Sequence, residues 1–291
     1  MRAVVLDPDG LPELADLPEP SGAGRLVRIH ACGLCGSDVE KLGRGAPGSV
    51  LGHEVAGEIE DGTRVTVMHR VPCGVCERCV AGHQSTCGEF RELRITPGGF
   101  AERLRATHCV PLPDSFGELD GIWVEPVACV LRAAELVPRG RVLVVGCGAI
   151  GLLWTQVLTL RGDTVVAVDP RADRLAGAIG VGATVDDDPV AAAVTTAPGG
   201  IDDALRRLEP GGTLLVFAAA EGAVPTSLDT VYRNELEVVG SRSATPASFR
   251  LALDVLPSLV LPRVTTLPLE RFSEGVELYR RGEALKVVFT P

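Results

Sequence analysis

The sequence predicts an α/β protein in two parts, a mostly β domain followed by a doubly wound parallel sheet. Before residue 126, short β-like runs alternate with Gly, Pro and Cys, and Arg25–His30 alternates apolar and polar residues as a half-buried strand does. In the second half, buried apolar runs alternate with helical segments, which is typical of a parallel sheet covered on both faces. We expect domains over 1–126 and 127–240, and a tail, 241–291, that packs back on the first domain.

The individual elements follow from the same patterns. In the first domain, Val55–Ile59 and Arg64–Met68 are predicted strands around the turn Asp61-Gly62. In the second domain and the tail, the predicted elements are strand Val142–Val145, helix Ile150–Leu160, strand Thr164–Val168, strand Val190–Thr196, helix Ile201–Leu208, strand Thr213–Ala218, strand Glu237–Val239, helix Ala247–Leu256 and a β-rich end at Lys286–Phe289.

Composition excludes several classes of protein. The 291 residues are 46% apolar and 23% charged, an ordinary globular balance, and the net charge of −10 argues against a nucleic-acid partner. No apolar run reaches the roughly 20 residues that a membrane helix needs. The N-terminus lacks the apolar core and cleavage site of a signal peptide. We therefore expect no membrane association and a cytoplasmic location.

Four of the nine cysteines form a cluster with the spacing C-x2-C-x2-C-x7-C: Cys73, Cys76, Cys79 and Cys87. Four thiolates at this spacing can surround one tetrahedral Zn²⁺, and a zinc ion closed by four protein ligands is structural. The cluster predicts a lobe over 72–88 that folds around its metal. Two alternatives are four unrelated buried cysteines and a nucleic-acid-binding ribbon, which the acidic chain and the single base Arg78 disfavour.

A second set of metal-binding residue types is dispersed along the first domain. Cys35, His53, Glu54 and Glu125 are each bounded by turn residues, and three protein ligands with one open position make a catalytic zinc site. Taken alone, a histidine such as His53 is more often structural, and an acid such as Glu54 is more often solvated. The sequence by itself does not bring these distant segments together.

A glycine-rich turn follows the strand Val142–Val145 and opens a helix, which is the context that a dinucleotide-binding G-x-G-x-x-G requires. The helix N-terminus would face the pyrophosphate. Asp169 ends the next strand, where a carboxylate accepts the ribose hydroxyl and repels a 2′-phosphate, so NAD is favoured over NADP. Arg171 nearby could soften that preference. The predicted cofactor-binding residues are Gly146, Gly148, Ala149, Ile150, Gly151 and Asp169.

These motifs occur together in one known family. In order, they are Gly33-Leu34-Cys35-Gly36-Ser37-Asp38, Gly52-His53-Glu54, the four-cysteine lobe and Glu125-Pro126. The chain resembles zinc-containing medium-chain alcohol dehydrogenases of the sorbitol and threonine dehydrogenase branch over essentially its whole length. The resemblance implies a GroES-like first domain and a Rossmann second domain. The chain is shorter than is typical of the family between Glu54 and Cys73, and between Asp186 and the Gly211-Gly212 turn.

The resemblance also implies site residues. Cys35 and His53 would bind the catalytic zinc, with Glu54 as the preferred third ligand and Glu125 in the same shell, so that the chain carries two zinc ions. Ser37 matches the family's relay hydroxyl. Glu40 stands where relatives commonly have a relay histidine, which puts the proton exit in doubt. Arg174 would lie near the adenosine ribose and Lys286 near the pyrophosphate, although both can equally be solvated surface charges.

The implied activity is hydride transfer between NAD and a small alcohol, polyol or sugar-like substrate, in a homodimer or homotetramer. Two alternatives stay open. One is a zinc-independent quinone or enone reductase of the same superfamily, which would lack both metal sites. The other is a non-catalytic NAD(H)-binding protein, which would bind NADH without turning over any substrate.

Overall fold

The computed structural model describes residues 1–197, 199–218 and 226–291, and these residues divide into two compact units. Unit 1 comprises Met1–Ala128, Ala244–Pro257 and Arg263–Pro291. Unit 2 comprises Cys129–Ser243 and Ser258–Pro262. Unit 1 is therefore assembled from both ends of the chain, and unit 2 from its middle.

The strands are β1 (Arg2–Leu6), β2 (Pro12–Asp16), β3 (Arg25–Gly33), β4 (Glu54–Ile59), β5 (Arg64–Val67), β6 (Ile95–Thr96), β7 (Arg103–Ala106), β8 (Cys109–Pro111), β9 (Arg141–Val145), β10 (Thr164–Val168), β11 (Val190–Thr195), β12 (Leu208–Val216), β13 (Glu237–Gly240), β14 (Val264–Pro268) and β15 (Lys286–Thr290). The helices are α1 (Gly36–Val39), α2 (Glu77–Val80), α3 (Val124–Ala134), α4 (Ala149–Arg161), α5 (Ala172–Gly180), α6 (Ile201–Arg207), α7 (Leu228–Arg233), α8 (Pro246–Val255) and α9 (Phe272–Arg280). Among the described residues, no helix combines the length and the apolar character needed to cross a membrane.

Unit 1 contains a largely antiparallel sheet in the order β14-β15-β3-β4-β5-β8, with β7 also paired to β3. Strand β3 alternates buried and less buried residues from Val27 to Ala31, as its sequence predicts, because one face lies on the core. The last strand of the chain, β15, pairs antiparallel with β3, Val288 opposite Gly33. The expected mostly β first domain is thus confirmed, and the C-terminal strand is part of its sheet.

Three aromatic rings hold the C-terminal segment in the core of unit 1. Phe100 lies 4.9 Å from Phe272 and 5.5 Å from Phe289 between ring centroids, and the latter two rings stack at 4.6 Å. All three side chains are buried. Because aromatic pairs at these distances add to the free energy of apolar burial, α9 and β15 are firmly attached to the sheet.

Unit 2 contains a parallel sheet in the order β10-β9-β11-β12-β13, which confirms the predicted doubly wound fold. The predicted strands after Val142 are all present, but β12 begins at Leu208 rather than at Thr213. The strand order reverses between β9 and β11. Ligands of open α/β sheets bind at such a switch point, beyond the carboxyl ends of the strands.

The parallel sheet ends at β10 on one side. Among the described residues, a single bridge, Val166 to Thr184, extends past this strand. From Thr184 the chain reaches β11 at Val190 without an intervening helix. This short connection agrees with the shortening expected from the sequence after Asp186, and the switch point between β9 and β11 is present.

Candidate active site and metal centres

Strand pairing brings the first set of proposed ligands together. Cys35 follows β3 and precedes α1, and His53 directly precedes β4. Since β3 and β4 are antiparallel, with Gly33 opposite Glu54, the end of one strand lies beside the start of the other. The ligand atoms of Cys35, His53 and Glu54 consequently lie within 4.8 Å of one another.

A buried carboxylate, Asp38, links these two segments. It is 0% exposed and accepts hydrogen bonds from the N–H groups of Cys35 at 3.1 Å and Gly52 at 3.3 Å. Its Oδ1 also lies 3.3 Å from His53 Nδ1. Burial alone would lower the pKa of His53, but the charge and hydrogen bond of Asp38, with Cys35, raise it well above 6.5. A carboxylate on Nδ1 fixes the ring so that Nε2 is available to a metal.

Glu54 is joined to the last strand through a buried ion pair. The Lys286 ammonium pairs with the Glu54 carboxylate and donates to Leu34 O at 3.1 Å, and both charged side chains are at most 5% exposed. Burial would lower the pKa of Lys286, but the charges of Glu54 and Cys35 raise it above 10.5. The sequence placed Lys286 near the cofactor pyrophosphate and did not foresee this partner.

A second group of donors shares His53. The ligand atoms of His53, His69 and Glu125 lie within 4.8 Å of one another, and the two imidazole rings are 4.6 Å apart. Burial, followed by the charge of His53, lowers the pKa of His69 well below 6.5. Glu125 was expected in the metal shell, whereas His69 was missed. The only available signal was a histidine directly after the predicted strand Arg64–Met68.

The residues of the expected proton relay lie on and beside α1. Ser37 Oγ donates to Cys35 Sγ at 3.4 Å, and partly buried Glu40 ends the helix. The sequence did not anticipate Tyr279, from α9, whose hydroxyl would lie 2.9 Å from a Cβ at Gly36. Burial and then the charge of Cys35 raise the pKa of Tyr279. A phenol therefore lies against the cysteine turn.

The four lobe cysteines also come together, with all ligand atoms within 4.8 Å. Cys73 Sγ lies 3.9 Å from Cys79 Sγ and 3.6 Å from Cys87 Sγ. Thiolates bound at about 2.3 Å to one tetrahedral zinc lie roughly 3.8 Å apart, so this cluster fits the metal. Apart from cysteines, the buried apolar cluster of the lobe contains Phe90. The lobe therefore has few buried apolar side chains other than its cysteines.

The glycine turn of unit 2 has the backbone that its sequence predicts. Gly146 adopts a φ of +93°, and a Cβ at Gly151 would lie 1.8 Å from Gly146 O. Gly148 is the N-cap of α4, whose first residues are Ala149 and Ile150, and no described atom lies within 4 Å of a Cβ placed there. The turn thus requires glycine at 146 and 151 for backbone reasons, and at 148 the backbone stays accessible.

Both oxygens of Asp169 are held by main-chain groups. Oδ2 accepts from the Cys147 N–H at 2.7 Å and Oδ1 from the Arg171 N–H at 2.9 Å. Thr196, which the sequence did not single out, donates from Oγ1 to Gly146 O at 2.9 Å. Arg174 lies on α5. The carboxylate therefore has a fixed position beside the glycine turn.

Known proteins resemble the chain over most of its length. The family described as "Alcohol dehydrogenase GroES-like domain" matches residues 23–114. A D-altritol 5-dehydrogenase of Agrobacterium fabrum is 32% identical over 288 residues, with 84% of each chain covered. The crystal structure of galactitol-1-phosphate dehydrogenase from Escherichia coli is 26% identical, with a TM-score of 0.84 and 100% of both chains covered.

A further crystal structure, a short chain alcohol dehydrogenase (rspB) from Escherichia coli CFT073 complexed with NADH, has a TM-score of 0.85 at 22% identity. The similarity covers 100% of this chain and 99% of that protein's chain. At this identity the similarity concerns the fold.

Proposed function

Since this chain belongs to the zinc-containing medium-chain alcohol dehydrogenase family, we propose that it transfers a hydride between a small alcohol or polyol and NAD. The observation that carries the proposal is the meeting of Cys35, His53 and Glu54 at adjoining ends of β3 and β4. A thiolate, an imidazole and a carboxylate leave one position of a tetrahedral zinc open, which is the arrangement of catalytic sites.

The donor set fits zinc in chemistry as well as in position. Asp38 holds the imidazole through Nδ1, as carboxylates do for zinc-bound histidines. When bound, zinc would polarise the alcohol oxygen while the nicotinamide accepts the hydride. Cys35, His53 and Glu54 would hold this ion, with Glu125 in the same shell, and the lobe cysteines would hold a second one.

The proton released by the alcohol needs a way out, and α1 offers polar groups for it. Ser37, whose hydroxyl is 3.4 Å from Cys35 Sγ, is the first group on this path, and Glu40 at the helix end, or water, receives the proton. Glu40→Gln should change the pH–rate profile, because the amide cannot accept the proton. An unchanged profile would exclude Glu40 from the path.

The cofactor site favours NAD over NADP. Asp169 is held by two main-chain N–H groups, so its negative charge remains beside the glycine turn, where it would accept a ribose hydroxyl and repel a 2′-phosphate. Gly146, Gly148 and Gly151 would let the pyrophosphate approach the start of α4, and Arg174 would lie near the ribose.

The substrate class follows from the acidic shell and from the relatives. Two carboxylates beside the metal, Glu54 and Glu125, can accept hydrogen bonds from neighbouring hydroxyls, which suits a polyol or a sugar-like alcohol better than ethanol. The similar proteins named for D-altritol and galactitol 1-phosphate act on compounds of this kind.

Metal analysis combined with an activity panel tests the proposal. The purified chain should contain about two zinc ions and should reduce NAD in the presence of at least some polyols. A zinc content near zero, with activity towards quinones or enones, would instead identify a zinc-independent reductase. NADH binding without turnover across the panel would indicate a non-catalytic protein.

A further inference from the structure

His69 is a donor at the proposed catalytic centre that the family motifs do not include. It lies two residues beyond β5, and its carbonyl accepts a hydrogen bond from the Arg94 N–H at 2.8 Å, which anchors its backbone. Its ring is 4.6 Å from that of His53, and the two side chains share a group of ligand atoms with Glu125. The position of His69 therefore comes from the sheet and not from the cysteine turn.

We propose that His69 is a second histidine ligand of the catalytic zinc, forming with His53 and Glu125 a donor set distinct from Cys35, His53 and Glu54. Two imidazoles and one carboxylate make up the His₂Glu composition found in catalytic zinc sites. The inference rests on the proposed function only in assuming that a zinc ion binds at this centre.

The two donor sets hold one metal ion in two positions. Asp38 occupies Nδ1 of His53, so a metal in either set takes the same nitrogen, Nε2. Simultaneous occupation by two ions would require both to bind that single lone pair. His53 is therefore the ligand common to both positions. The other ligands are Cys35 and Glu54 in one position, and His69 and Glu125 in the other.

Lys286 sets the balance between the positions. Its ammonium pairs with Glu54, so a metal bound by Glu54 lies close to another positive charge. The set that contains His69 and Glu125 does not use Glu54. His69 thus gives the ion a position in which the Lys286–Glu54 pair stays undisturbed.

The test begins from Cys35→Ser, which breaks the thiolate set and leaves the His69 set complete. This variant should keep an exchangeable zinc in addition to the lobe zinc, as measured by competition with a chromophoric chelator. Adding His69→Asn should lower the affinity of that zinc more than about 100-fold, since losing an outer-shell partner already costs 10–100-fold. Adding His108→Asn, an exposed histidine, should leave it unchanged.

Two results would overturn the proposal. One is a Cys35→Ser protein that retains only the lobe zinc. The other is a Cys35→Ser, His69→Asn protein whose zinc affinity falls 100-fold or less, because such a loss describes an outer-shell group. Should His69→Asn fail to fold, His69→Gln replaces it, and the wild-type protein supplies a variant-free measurement.

That measurement is ring-nitrogen NMR of histidine-labelled protein before and after zinc removal. Because the lobe ligands are all cysteines, only imidazoles of the catalytic centre should lose the characteristic shift of a metal-bound ring nitrogen: two of the five histidines if His69 binds the metal, and one if it does not. His83, which lies inside the lobe, has no metal-bound nitrogen to lose and is not counted. Dehydrogenase activity is recorded separately. A protein with two responding histidines but no turnover refutes the proposed function alone, and an active protein with one refutes the role of His69 alone.

Discussion

Replacing Asp38 tests whether one buried carboxylate holds the proposed catalytic ligands in place. Asp38→Asn keeps the shape of the side chain but substitutes an NH₂ group for one acceptor oxygen. The carboxylate serves the N–H groups of Cys35 and Gly52 and the Nδ1 atom of His53, at 3.1–3.3 Å. An amide can accept on one side only, so at least one buried donor loses its partner.

The magnitude follows from these contacts. An unpaired buried donor costs about 1–3 kcal/mol, so Asp38→Asn should destabilise unit 1 by that amount. Because one oxygen of Asp38 serves both Gly52 and His53, the amide oxygen of Asp38→Asn can keep these two donors and leave the Cys35 N–H unpaired. Asp38→Ala removes the acceptors of all three donors, including the partner that orients His53, and should weaken binding of the catalytic zinc about 10–100-fold.

The assay is chelator competition for the catalytic zinc, with the lobe zinc as internal reference, together with thermal unfolding. Asp163→Asn is a matched control, because Asp163 is also a buried carboxylate, 1% exposed, that accepts from the Gly140 N–H at 2.9 Å in unit 2. Asp163→Asn and Asp163→Ala should lower stability and leave zinc affinity unchanged. If Asp38→Ala binds catalytic zinc as tightly as the wild type, Asp38 does not organise the site.

Further substitutions test the metal-binding, cofactor-binding and structural roles of individual residues separately. Cys35→Ser should abolish turnover with NADH binding intact, whereas Cys76→Ser should lower the melting temperature by releasing the lobe zinc; normal turnover in Cys35→Ser would contradict its assignment. Gly151→Ala should destabilise unit 2 by about 1–3 kcal/mol or more, while Gly148→Ala should keep the melting temperature and weaken NADH binding in fluorescence titrations. Asp169→Ser should reduce the preference for NAD over NADP in kcat/KM at least about 10-fold, and an unaltered ratio would show that Asp169 does not select the cofactor.

Local patterns were enough to predict the elements of the parallel sheet. The run Val165–Val168 is continuous and apolar and lies within β10, Thr164–Val168, whose three central residues are buried, as expected of a strand inside a parallel sheet. The glycine turn was equally predictable, because the G-x-G-x-x-G motif is a requirement of the backbone. A Cβ at Gly151 would lie 1.8 Å from Gly146 O, so only glycine fits there. The start of β12 could not be predicted from the sequence, because residues 209–212 contain no apolar run.

The composition of the proposed catalytic centre could be predicted only in part, because it depends on non-local pairing. Cys35 and His53 meet through the register of β3 against β4, which no local pattern contains. Lys286 reaches Glu54 because β15 pairs with β3 across some 250 residues of sequence. His69 stands alone after a strand, and a solitary histidine carries no spacing signal from which a ligand role could be inferred.

The two metal centres should therefore depend on zinc in different ways. The lobe has three buried apolar members, Cys79, Cys87 and Phe90, two of which are proposed ligands, so removing the metal removes most of what holds it together. At the catalytic centre, the ligands are attached to paired strands and linked by Asp38, whose hydrogen bonds do not require a metal. Chelation should accordingly unfold residues 72–88 first and leave β3 and β4 protected from hydrogen exchange, because only the lobe obtains its folding free energy chiefly from the ion.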